Sequence, residues 1–185
     1  PPAVQKNLDP KSPLPVRMMA SKGLIMGSPR DVLTALYVLT FDPEAKVVEN
    51  ARATASKLQD KIAVGLRDDD LPAPVLVFFG AALKGQDQYL EFVVLNEATP
   101  DAAVADIATD CSEKVAEIIS GNQLRILRDE SIIRALVRNQ NTRKSTVDGV
   151  LDFCVRSGVV IHDLPEYVEA RRLILGEEPE VAKVL

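Results

Sequence analysis

The chain has 185 residues, with 22 Lys and Arg against 27 Asp and Glu, two Cys, one His, no Trp and a net charge of −5. With 46% hydrophobic residues it carries too much aliphatic side chain for a disordered segment, and it lacks the cation surplus by which nonspecific nucleic-acid and acidic-membrane binders neutralise phosphates. Cys111 and Cys154, with no CxxC and a single imidazole, make neither a disulfide framework nor a zinc set, and they favour a reducing, cytoplasmic setting.

Five of the 12 prolines fall in the first 15 residues, at 1, 2, 10, 13 and 15, among Lys6, Asp9 and Lys11, and residues 1–14 read as an extended proline-rich tail or linker. Residues 15–185 read as a single helical domain whose helices each open on a polar cap or a proline. Ser28-Pro29-Arg30-Asp31 starts a helix to about Thr40, with Asp31 placed to close a capping box. Asp42-Pro43-Glu44 and Thr99-Pro100-Asp101 start two more, Asp110 with Glu113 caps another, and Asp163 precedes one led by Leu164-Pro165-Glu166. Gly23, Gly85, Gly121, Gly158 and Gly176 fall just past expected helix ends, where a left-handed residue is wanted. The apolar runs at 75–83 and 92–95 are shorter than the ~20 residues that cross a bilayer, so no membrane span is expected. No signal-peptide pattern is read at the start. The chain opens without Met and stops in a helix-like stretch, 180–185, as a segment of a longer protein would.

The most specific signal is internal. At an offset of 43, Tyr89, Leu90, Val93 and Val94 map onto Ile132, Ile133, Leu136 and Val137, one helical face each, followed by Asn96 on Asn139, Thr99 on Thr142, Val104 on Val147 and Cys111 on Cys154. At an offset of 28, Ile62, Leu66, Asp68, Pro72, Leu76, Phe79 and Leu83 stand where Leu90, Val94, Asn96, Pro100, Val104, Ile107 and Cys111 stand. Each copy reads as a helix, an Asn or Asp turn, and a second helix started by Thr or Pro, and such units bury their apolar faces by stacking. The pattern resembles the α-solenoid superfamily of armadillo and HEAT repeats. In Val94-Leu95-Asn96-Glu97-Ala98-Thr99-Pro100 the turn is similar to that of the bacterial leucine-rich repeat variant, with residues 137–142 as a looser copy in which Arg143 replaces the proline. The resemblance implies a binding scaffold. That variant's iron–sulfur cysteines have no counterpart here, so no cluster is implied.

Candidate chemistry is sparse. Arg125, Arg128, Arg134, Arg138, Arg143 and Lys144 give residues 123–144 a local excess of positive charge, suited to an acidic segment, a phosphate or a lipid head group. Asp68-Asp69-Asp70 lacks the spaced ligands, glycine and distal Glu of a calcium loop and reads as a solvated turn. Cys111 and Cys154 read as buried structural thiols, and His162 as a loop residue before a helix. No catalytic, cofactor-binding or metal-binding residue is expected, and neither GxGxxG, GxxxxGK[ST], HExxH nor GxSxG occurs.

The expected fold is all-α, a right-handed HEAT-like stack of eight to ten short helices. The expected function is a non-catalytic protein–protein interaction module or regulatory scaffold whose partner is another protein, with an acidic segment meeting the basic residues. The alternatives are a nucleic-acid or phospho-ligand binder, against which the acidic total and scarce aromatics count, and an enzyme with an unmarked acidic catalytic residue. A homodimer covering apolar end faces stays open.

Overall fold

The computed structural model describes the backbone of residues 2–176 and the side chains of 4–176. Among them the chain is all-helical, with thirteen α-helices, one 3-10 turn and no strand. In order these are α1 (Pro2–Leu8), α2 (Leu14–Ala20), α3 (Pro29–Leu39), α4 (Ala45–Ala55), α5 (Asp60–Ala63), the 3-10 turn Val64–Arg67, α6 (Ala73–Ala82), α7 (Asp87–Leu95), α8 (Asp101–Ala108), α9 (Glu113–Gly121), α10 (Gln123–Arg128), α11 (Glu130–Arg138), α12 (Lys144–Arg156) and α13 (Pro165–Leu175). The expected helix-like stretch at 180–185 lies outside the described residues. None of these helices is long and apolar enough to cross a membrane. The chain divides into two compact units, Pro1–Ala103 and Val104–Leu185.

Residues 1–14 are not an extended tail. Pro2–Leu8 is helical and packs on α2 and α3, with Val4 buried and Leu8 turned onto the cluster of Ala20, Leu39, Val47 and Ala51. Prolines here sit in first turns, where a missing N–H costs nothing because that group has no intrahelical partner. Pro15 does this in α2 and Pro29 in α3. The expected capping box is present in full: the Asp31 backbone N–H donates to Ser28 Oγ at 3.2 Å, and the Ser28 N–H to Asp31 Oδ2 at 2.9 Å. Those bonds from Ser28 hold the Asp31 carboxyl below its ordinary pKa.

Other helix starts differ from expectation. Ser112, not Asp110, caps α9, accepting the Val115 N–H at 3.3 Å. Leu164 takes the cap position of α13, with Asp163 just before it in the left-handed region at φ 60°. Gly23, Gly85, Gly158 and Gly176 are left-handed, but Gly121 ends α9 in place, and Asn122 opens α10 by accepting the Arg125 N–H at 3.2 Å. Asn122 can do so because its short amide mimics a backbone acceptor.

In the first unit Leu33, Leu36, Leu76, Phe79 and Leu83 are fully buried beside the smaller Ala51 and Ala55, which let α4 approach α3 closely. Ile119, Ile126, Ile132, Ile133 and Leu136 do the same in the second unit.

Three turns share one geometry. Asp68, Asn96 and Asn139 each end a helical segment in an extended conformation, at φ/ψ of −74°/119°, −69°/123° and −72°/113°. Their Oδ1 atoms accept the backbone N–H two residues on, from Asp70 at 3.0 Å, Ala98 at 2.9 Å and Asn141 at 2.9 Å. Their carbonyls accept the N–H three residues on, from Leu71, Thr99 and Thr142. The two asparagines also reach backward. Asn96 Nδ2 donates to Leu66 O at 2.8 Å and Asp68 O at 3.0 Å, and Asn139 Nδ2 donates to Ala108 O and Cys111 O, both at 3.0 Å. Each carboxamide thus satisfies carbonyls about thirty residues earlier, in buried surroundings where an unmet acceptor would cost ~1–3 kcal/mol. One detail differs between them: Thr99 Oγ1 donates to Val93 O at 2.6 Å, while Thr142 Oγ1 is buried without a hydrogen-bond partner.

Close approach explains one glycine. A Cβ at Gly65 would lie 2.7 Å from the Pro29 carbonyl carbon and 2.8 Å from Arg30 N, so the 3-10 turn rests directly on the start of α3. Nothing lies within 4 Å of a Cβ at Gly149 inside α12. In urea unfolding, Gly65→Ala is expected to lose ~1–3 kcal/mol through backbone overlap. Gly149→Ala is expected to gain ~1 kcal/mol of helix propensity. Equal effects would contradict the packing described.

Candidate functional site

The six cations of the expected basic cluster, of which Arg134 and Arg138 share a face of α11, occupy different environments. Arg125 lies in the last turn of α10 and is buried at 4% exposure. Arg134 Nη2 donates to His162 O at 2.6 Å and lies 3.4 Å from Glu130 Oε1 one turn earlier, joining α11 to the loop before α13. Arg143, at the start of α12, spans to α9, with Nη2 2.5 Å from Glu113 and Nη1 3.1 Å from Glu117. Its hydrogen bond to Glu113 and the two negative charges raise its pKa further above the ordinary arginine value. Arg128, Arg138 and Lys144 are exposed, and Arg138 and Lys144 have no ion pair among the described residues. Arg134 and Arg143 are thus engaged with acceptors of the chain itself, Arg143 while still exposed.

The other polar candidates are structural. Asp68 and Asp70 share one turn and face Arg30, whose Nη1 lies 3.8 Å and 3.4 Å from their carboxylates. His162 is exposed and contributes its carbonyl to Arg134. No group of three or more His, Cys, Asp or Glu among the described residues is placed to hold a metal ion.

Cys111 and Cys154 are both buried, and neither is in a disulfide. Cys111 Sγ lies 3.5 Å from Asn139 Nδ2. Burial pushes the Cys154 thiol up to about 11, away from the thiolate form a nucleophile needs.

The residues that sequence reading passed over are aromatic. The segment of α6, Ala73-Pro74-Val75-Leu76-Val77-Phe78-Phe79-Gly80-Ala81-Ala82, contains no charged or hydrogen-bonding side chain, and a helix apolar on all sides ordinarily lies inside a protein. Here Val75, Leu76, Phe79 and Gly80 face the core, while Pro74, Val77 and Ala81 are exposed and Phe78 is half-buried. Those four are spaced i, i+3, i+4, i+7, which is one continuous stripe.

From α3, Tyr37 sets its ring 5.7 Å from Phe78 and 5.3 Å from Phe41, edge-on to the latter. Phe41 is 72% exposed, and Val38 beside it is also exposed. Three of the chain's eight aromatic residues thus stand together on one uncharged face of the first unit. The signal available beforehand was the uncharged run at 75–83, together with the i, i+4 pair Tyr37 and Phe41. Their meeting depends on tertiary packing of α3 on α6.

Compared with known protein families, curated proteins and solved structures, the chain matches none.

Both thiols are expected to resist alkylation at pH 8 in the folded chain and to react fully, two per chain, once unfolded in urea. Rapid native labelling of Cys154 would contradict its burial.

Proposed function

We propose that this chain is a non-catalytic protein-binding module, built as a HEAT-like helical stack, whose binding face is the stripe formed by Phe41, Tyr37, Phe78, Val77 and Pro74. The observation that carries it is an apolar stripe at i, i+3, i+4, i+7 in which Pro74, Val77 and Ala81 are exposed and Phe78 is half-buried against Tyr37. Clustered exposed aromatics of this kind are the commonest anchors of protein interfaces, since they bury large area at little entropic cost. The stripe lacks charges, so its matching partner is an apolar face, such as the aliphatic side of an amphipathic helix on another protein. The shared turn geometry of Asp68, Asn96 and Asn139 supports the stacked-repeat reading. Two buried cysteines outside any disulfide suit a reducing, cytoplasmic setting.

A role for the basic residues as the main binding face has less support, because Arg125 is buried and Arg134 and Arg143 are engaged internally.

The test is affinity capture with three chains: unmodified, Phe41→Ser with Val77→Ser, and Arg138→Glu with Lys144→Glu, each checked for helical content by circular dichroism. The aromatic-face variant is expected to lose its captured partner, with affinity reduced about 30-fold or more, as removal of an interface hot spot does. The basic-residue variant is expected to keep it. Loss only in the basic-residue variant would overturn the placement. Concentration-dependent self-association abolished by the serine variant would instead make a second copy the partner.

A further inference from the structure

Charge is unevenly distributed along the chain. Residues 1–31 hold Lys6, Lys11, Arg17, Lys22 and Arg30 against Asp9 and Asp31, the latter engaged by the Ser28 N–H beside Gly27, whereas residues 32–185 hold 17 cations against 25 carboxylates. Two of the five cations act inside the fold: Arg17 is buried against Asp42, and Arg30 faces Asp68 and Asp70. Lys6, Lys11 and Lys22 are exposed. The nearby helix α4, packed on α2, adds exposed Lys46, Glu49 and Arg52, which bring no negative excess.

The same segment carries the most exposed large apolar side chain among the described residues, Met26 at 92%, together with Leu24 at 61% and Met19 at 56%. Their outward direction is fixed by the chain's own bonding. Met18 and Ile25 turn inward onto the cluster of Ala20, Leu39, Val47 and Ala51, so their neighbours Met19, Leu24 and Met26 turn out. The Lys22 and Leu24 N–H groups both donate to Met19 O at 3.1 Å, and Gly23, left-handed at φ 74°, closes that turn. Ser12 Oγ donates to Lys6 O and Arg17 Nε to Ser12 O, which ties α1 and its connecting turn to α2.

An apolar side chain exposed to this degree stands on a convex tip. A protein partner would have to supply the entire pocket for it, whereas the boundary between headgroups and acyl chains closes around any protruding apolar group, and anionic headgroups attract the flanking ammonium groups. We infer that residues 19–26 anchor the chain to an anionic lipid surface, with Met26, Leu24 and Met19 entering the headgroup boundary and Lys6, Lys11 and Lys22 meeting lipid phosphates and carboxylates. This site is separate from the aromatic stripe and does not depend on it. The whole-chain charge of −5 conceals it, because the carboxylates lie almost entirely after residue 30.

The chain holds no Trp, so Met26→Trp places a single fluorescent reporter at a position with almost no protein contacts. Its emission is expected to shift to the blue on vesicles containing about one-third phosphatidylserine and to stay unchanged on phosphatidylcholine alone. Replacing Lys6, Lys11 and Lys22 together by Ala is expected to weaken vesicle binding about 100-fold, roughly fivefold per lysine. In the otherwise natural chain, Met26→Asp is expected to abolish co-sedimentation with the anionic vesicles, while Arg138→Ala with Lys144→Ala leaves it unchanged. Equal response to both vesicle types, no response to either, or insensitivity to the lysine substitutions would overturn the inference. A blue shift that grows with protein concentration in the absence of lipid would also overturn it, by showing that a protein surface covers the tip.

Discussion

A helix that ends on an extended residue leaves its final carbonyls without helical donors, and in each unit of this chain a buried asparagine carboxamide donates to carbonyls near the end of an earlier segment, with Asn141 Nδ2 adding a second bond to Cys111 O. Asn96 joins the end of α7 to the carbonyls of Leu66 and Asp68, and Asn139 joins the end of α11 to those of Ala108 and Cys111. Only an amide can do this, because the same side chain must accept the N–H two residues ahead through Oδ1 while donating both Nδ2 hydrogens backward. Asp68 makes the forward half of the pattern, and its carboxylate, having no donors, turns to Arg30. With helix ends tied in this way, the short α7 and α11 hold fixed positions that their own length would not secure.

That constraint shapes what the surface offers. With α3, α6 and α7 fixed on a shared core, α6 must present its second apolar side to water, and Tyr37 and Phe41 extend the resulting stripe. Two basic residues of the second unit are paired within the chain, Arg134 with the carbonyl of His162 and Arg143, still exposed, with Glu113 and Glu117. The first unit thus leaves Phe41, Val38 and Val77 exposed, and also Met19, Leu24 and Met26.

Much of this was legible in the sequence where the determinant is local. The Ser28–Asp31 box, the helix starts at Pro29 and Pro100, and the equivalence of Asn96 and Asn139 all follow from residues within a few positions of one another, or from repetition of such a pattern. Residues 1–14 misled because proline density suggests extended chain, while Val4 and Leu8 find burial that only the folded partners α2 and α3 provide. The pairing of Arg134 and Arg143 was not legible: Glu113, Glu117 and the His162 carbonyl are 26–30 residues from their partners, and no charge count reveals which cation meets them. The aromatic stripe was hidden because Tyr37 and Phe78 lie 41 positions apart and touch only once α3 packs on α6.

The most direct test of the structural account is hydrogen exchange of side-chain carboxamides by NMR. Both Nδ2 protons of Asn96 and of Asn139 should exchange as slowly as the backbone amides of the buried helices α7 and α11, while the exposed Gln123 carboxamide exchanges at the rate of a free amide. Exchange of the two asparagine carboxamides at the Gln123 rate would show that they are open to water and would contradict the account.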